Sequence, residues 1–119
     1  MPDARKVLVI DDEIDLCLLL KSYLLRKDYE VSISHSLKEG VPLVQKLHPE
    51  ILFLDNNLPD GIGWTSAPQL SKDNPSMFIV LISAFHPTVP QMPDQAKYKC
   101  IEKPISMADL DTQLSDIEI

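Results

Sequence analysis

Several short apolar runs in this 119-residue chain end on side chains that can do chemistry. Lys6-Val-Leu-Val-Ile10 stops at Asp11-Asp12-Glu13, and Ile51-Leu-Phe-Leu54 stops at Asp55. Met77 to Ile82 is followed by Ser83, and Tyr98 to Ile101 by Glu102 and Lys103. If these runs are strands lying side by side in one direction, their carboxyl ends share an edge. That edge would gather three or four carboxylates, a hydroxyl and an ammonium. Crowded carboxylates repel one another unless a cation sits between them. A few oxygen ligands completed by water suit Mg²⁺ rather than zinc or copper. A carboxylate beside such an ion is a nucleophile fit for phosphoryl transfer, and a lysine and a hydroxyl can take the phosphoryl oxygens. A single surface acid is ordinarily just solvated. Acids that directly end apolar runs point instead to a metal-assisted phosphoryl site.

The elements that must position these residues follow from periodicity. The run 6–10 reads as a buried strand. Ile14 to Arg26 has Ile14, Cys17, Leu18, Leu20, Leu24 and Leu25 at the spacing of an amphipathic helix. Glu30 to Ser34 alternates, as a half-exposed strand does. Ser36 with Glu39 three residues on forms the pattern of a capping box, opening a helix to about Leu47 that contains Pro42. Ile51 to Asp55 is a third strand, followed by a loop from Asn56 to Gly63 rich in turn formers, where Gly63 is a candidate for positive φ. A weaker helix spans Trp64 to Lys72 around Pro68. Met77 to Ile82 and Tyr98 to Ile101 are the fourth and fifth strands, and Ser106 caps a helix running to the C-terminus through Met107, Leu110, Leu114 and Ile117. Alternating strands and helices, with three strands apolar throughout, predict an α/β fold: a five-stranded parallel sheet of order 2-1-3-4-5 with helices on both faces. Between Phe85 and Gln95 a helix is due, but Pro87, Pro90 and Pro93 recur there. Interior proline costs about 3 kcal/mol in a helix, so this fourth helix is expected to be short or irregular.

Length and composition fit one domain over residues 1–119. Eighteen acidic against eleven basic side chains give a net charge of −7, which argues against gripping a nucleic-acid backbone. No apolar stretch approaches the ~20 residues that span a bilayer, and the mixed start, Met1 to Lys6, does not read as a signal peptide. Cys17 and Cys100 lie inside apolar segments without CxxC spacing, so both are expected to be buried thiols in a reducing cytoplasm.

The set Asp11-Asp12, Asp55-Asn-Asn-Leu-Pro59 with Gly63, Ser83-Ala84 and Lys103-Pro104 resembles the receiver domain of two-component response regulators, in order, across nearly the whole chain. The resemblance implies a flavodoxin-like fold and a phosphorelay signalling domain rather than a turnover enzyme. Asp55 would be the phosphoacceptor, taking its phosphoryl group from a sensor histidine kinase or phosphotransfer protein. Asp12 and Asp55 would ligate Mg²⁺ directly, Asp11 largely through water, and Asn57 through its backbone carbonyl. Ser83 and Lys103 would bind the phosphoryl oxygens, Lys103 pairing with Asp55 beforehand. The Lys103–Pro104 peptide is expected to be cis. An output domain or downstream protein would read the phosphorylated state.

The chain departs from that family at Cys100, where the family usually places an aromatic residue or histidine that turns inward on activation. The prolines between Ser83 and Lys103 imply a remodelled output face. Trp64 is expected to pack, Met77 and Met92 to fill core, and His35, His48 and His86 to serve surface or loop roles. Two other classes are available: a haloacid-dehalogenase-like phosphohydrolase, and an α/β interaction module with a vestigial site. The first needs an acid two residues after its nucleophile, where Asp55 has Asn57; the alternative start at Asp11 has Glu13 there but Asp15 where the motif needs a hydroxyl.

Overall fold

Three of the strands are apolar on both faces, so each must be covered on both sides. The computed structural model, which describes residues 5–84, 88–115 and 117, builds just this sandwich. Strands β1 (Arg5–Ile10), β2 (Tyr29–Ser34), β3 (Ile51–Asp55), β6 (Phe78–Ser83) and β7 (Lys97–Glu102) form one sheet of order β2-β1-β3-β6-β7. All four pairings are parallel. This is the anticipated 2-1-3-4-5 order, with two short strands, β4 (Asn57–Leu58) and β5 (Gly61–Ile62), forming a separate antiparallel ribbon within the loop after β3. Helices α1 (Ile14–Leu25) and α4 (Met107–Leu114) contribute to the core on one face with Val7, Val9, Phe53, Val80 and Ile82. Helices α2 (Leu37–Leu47) and α3 (Ala67–Asp73) pack on the other with Leu8, Ile10, Leu52, Leu54, Ile79 and Leu81. Among the described residues, no helix is long and apolar enough to cross a membrane.

Several expectations are corrected in detail. The buried stripe of α1 is Leu16, Cys17, Leu20, Tyr23 and Leu24, while Ile14, Leu18 and Leu25 point outward. Both sets have helical spacing, and only contact with the sheet distinguishes them. The box expected on α2 is half made: Ser36 Oγ accepts from the Glu39 N–H at 3.2 Å, but the two preceding N–H groups, of Leu37 and Lys38, go to Asp60 at 2.9 and 2.8 Å. Those N–H groups hold the Asp60 carboxyl below its ordinary range. A complete box forms instead on α4, between Ser106 and Asp109. Pro42 is tolerated inside α2 on its exposed side, where water can serve the carbonyl left without a donor. The weak helix begins as a 3₁₀ turn, Gly63–Ser66, and Pro68 falls in the first turn of α3, where no N–H is required. Residues 88–96 contain no helix, as the prolines imply, whereas Phe85, His86 and Pro87 lie outside the described residues.

Cys100 is exposed rather than buried. It stands on the edge strand, whose inward-facing neighbour Ile101 takes the core position. Tyr98, two residues earlier on the same face, is also exposed. Cys17 is buried as expected.

Candidate functional site

The parallel register delivers the acids to one edge. Asp11 follows the last residue of β1 and Asp55 is the last residue of β3. Ser83 ends β6, and Lys103 follows β7. The Lys103 N–H donates to the Ser83 carbonyl at 2.8 Å, so the sheet ladder continues to the lysine itself. The peptide that follows, Lys103–Pro104, is cis as expected.

Lys103 Nζ lies 3.2 Å from Asp11 Oδ2, 3.3 Å from Glu13 Oε2 and 3.6 Å from Asp55 Oδ1. Asp11 and Asp55 are buried and Glu13 is half in water. Burial works against the lysine's charge, yet the carboxylates of Asp11 and Asp55 outweigh it and raise its pKa. Burial, followed by the charge of Asp11, pushes the Asp55 carboxyl up to about 6 against the pull of Lys103 and of the Asn57 N–H that donates to it. Burial likewise raises Asp11, which accepts the Glu13 N–H at 2.8 Å. One ammonium does not fully compensate this many carboxylates.

Carboxylate oxygens of Asp11, Asp12 and Asp55 fall within 4.8 Å of one another. Asp11 Oδ2 is buried and makes no directed hydrogen bond. The donor set is therefore oxygen only, anionic and under-satisfied, which suits a hard divalent cation. Asp12 and Asn57 are exposed at the rim and, with Glu13, Asp55, Ala84 and Lys103, line an open depression of about 410 Å³. Ser83 is buried beside it. A larger depression of about 550 Å³ opens near the amino ends of β3 and β6, between Glu50, Phe78 and Lys97, and none of the candidate residues lines it.

Support beneath the site is dense. The Asp11 carbonyl accepts from Cys17 Sγ at 3.2 Å and lies 2.9 Å from His35 Nδ1, while the Asp11 N–H donates to the Ser34 carbonyl at 3.0 Å. Burial and the Asp11 charge push the Cys17 thiol up to about 12, so it stays a neutral donor. Trp64 is buried and its indole N–H donates to the Leu54 carbonyl at 3.2 Å, the packing role expected of it. Gly63 does not adopt positive φ; Gly61 does, at 155°. Gly63 is required instead by proximity, because a Cβ there would stand 2.0 Å from the Asp55 carbonyl oxygen. His35 acts through a contact with a distant segment, and residue type alone gave no sign of its partner; Gly63 belongs to the Asp55 loop, as its motif suggested, but for a steric reason rather than for positive φ.

Residues 7–115 match the response regulator receiver domain family, and the chain belongs to that family. Among curated proteins, the probable transcriptional regulator ycf27 of Cyanophora paradoxa is 31% identical over 77 residues, which are 65% of this chain and 32% of the relative. The chain thus spans about a third of that relative's length. A CheY-like receiver domain protein from Methanospirillum hungatei superposes with a TM-score of 0.80 at 20% identity, over 96% of this chain and 93% of the other. A chain of the CheX–CheY–BeF3–Mg complex from Borrelia burgdorferi is also similar, with a TM-score of 0.79 at 16% identity over 97% and 90% of the two chains. At these identities the structural likeness speaks for the fold. Receiver domains are signalling domains.

Proposed function

We propose that Asp55 is the phosphoacceptor of this receiver domain and takes a phosphoryl group from a phosphohistidine of a sensor kinase or phosphotransfer protein. The carrying observation is the buried Asp55 carboxylate, 3.6 Å from Lys103 and grouped with the oxygens of Asp11 and Asp12. An Asp55 oxygen attacks phosphorus, the phosphorus–nitrogen bond breaks, and the imidazole leaves with the bonding pair. Asp12 and Asp55 directly, Asp11 largely through water, and the Asn57 carbonyl would hold Mg²⁺, which would neutralise the charge of the transferring group. Lys103 and the Ser83 hydroxyl bind oxygens of the transferred group, and Lys103 keeps Asp55 ionised and aimed beforehand. On this reading the output surface lies along residues 88–96 and the exposed Tyr98 and Cys100, with an output domain or downstream protein as its reader.

A donor surface adjoins the site. Ile14 and Leu18 are 64% and 58% exposed on the outer side of α1. Beside that helix, Leu16, Leu19, Pro104 and Ile105 line a groove with Lys103. The exposed Ile14 and Leu18, on the helix beside a groove that Lys103 lines, suit docking of an amphipathic helix bearing the phosphohistidine.

The test is intact mass after incubation with Mg²⁺ and acetyl phosphate. The protein should gain one phosphoryl group, and an Asp55→Asn variant none. Turnover of phosphoesters without an adduct would mark a hydrolase, and no reaction at all a vestigial module; either result refutes the proposal.

A further inference from the structure

The strands β4 and β5 hold only two residues each, paired Asn57 with Ile62 and Leu58 with Gly61. A ribbon that short has no stability of its own. It nevertheless carries Asn57, whose N–H donates to the Asp55 carboxylate. Something outside the ribbon must hold it. Its base is closed by the Gly63 N–H, which donates to the Asn56 carbonyl at 2.8 Å, and the side chain of Leu58 beside the tip is buried. Its tip is fixed by Asp60. Both carboxylate oxygens of that residue are used, Oδ1 by the Leu37 N–H at 2.9 Å and Oδ2 by the Lys38 N–H at 2.8 Å. These are the first two free donors of α2, where the helix dipole also favours an anion. Leu37 meets the ribbon a second time, since its Cδ1 would stand 3.2 Å from a Cβ on Gly61.

We propose that Asp60 is a positioning residue: its two-pronged grip on the start of α2 holds the ribbon so that Asn57 faces the Asp55 carboxylate and the metal position. This deepens the reading above and rests on it. Nothing in the local sequence requires the grip. α2 already has Ser36 as its own cap, and Asp60 takes only the donors Ser36 leaves.

That division of labour supplies the control. Ser36→Ala removes a cap from the same helix end without touching the ribbon, whereas Asp60→Ala releases the ribbon as well. Mg²⁺ affinity is measured by calorimetry, and amide exchange at Asn57 and Gly63 by NMR in EDTA. Asp60→Ala should weaken Mg²⁺ binding about tenfold and speed exchange at both amides. Ser36→Ala, at a comparable loss of melting temperature, should leave both unchanged. Asp60→Asn keeps one acceptor oxygen and should fall between wild type and Asp60→Ala; it also serves should the alanine variant fold poorly. Equal effects of Ser36→Ala and the Asp60 variants would reduce Asp60 to a helix cap and overturn the proposal. Unchanged affinity and exchange in the Asp60 variants would remove the role altogether. Either result, with wild-type Mg²⁺ binding intact, leaves the phosphoacceptor reading standing. A wild-type protein that binds no Mg²⁺ would overturn that reading and this proposal together.

Discussion

Replacing Asp55 by asparagine should make the metal-free protein more stable at neutral pH. The carboxyl is 2% exposed, and its pKa is displaced from 3.8 to about 6 by burial and the Asp11 charge. The folded state therefore binds the proton more tightly than the unfolded chain. The stability this provides is complete below pH about 4, falls as the pH rises, and is gone above about 6. A displacement of about 2 units at 1.36 kcal/mol each gives on the order of 3 kcal/mol. The carboxamide of the Asp55→Asn variant cannot ionise and should retain that amount at pH 7.5. With a urea m-value of about 2 kcal/mol per molar, the unfolding midpoint should rise by roughly 1.5 M. Trp64, the single and buried tryptophan, reports unfolding by fluorescence. The two proteins should converge near pH 4, and Mg²⁺ should narrow the gap at pH 7.5 by stabilising only the wild type. A variant equal to or weaker than wild type at pH 7.5 in EDTA would refute the account of a desolvated, under-compensated acid.

Three further outcomes follow from contacts described above. Gly63→Ala drives a Cβ to 2.0 Å from the Asp55 carbonyl; it should lower stability by about 1–3 kcal/mol in denaturant titration and slow labelling by acetyl phosphate. Ser106→Ala abolishes the complete box on α4 and should cost about 0.5–2 kcal/mol, read as a lower urea midpoint with labelling unchanged. Iodoacetamide on the native protein should add one group, at the exposed Cys100 and not at the buried Cys17, and two after unfolding, as mass spectrometry would show.

The fold and the candidate site were legible where chain chemistry is abrupt. Ile10 to Asp11 and Leu54 to Asp55 pass from apolar to acid in one step, and parallel pairing turns such steps into neighbours. Lys103–Pro104 is equally distinctive. Less was legible where two faces share one spacing: Leu18 and Leu20 look alike until the sheet selects Leu20. Cys100 looked like core because its segment is apolar, but the segment is an edge strand with one face unfilled. Asp60 and His35 act across distant segments, where neither periodicity nor residue type names the partner.

The place of β7 at the edge gives Lys103 a second significance. β7 is one of the two edge strands and is paired to β6 alone, so it has a strand neighbour on one side only. Lys103 directly follows this strand and reaches inward to Asp11, Asp55 and Glu13. The carboxylates thus serve as a latch that fastens one edge strand of the sheet to its centre. Any cation that competes with the ammonium for Asp11 and Asp55 loosens that latch, and any anion that engages the ammonium draws it away from them. The occupancy of the acids and the fastening of the edge are written in the same few atoms.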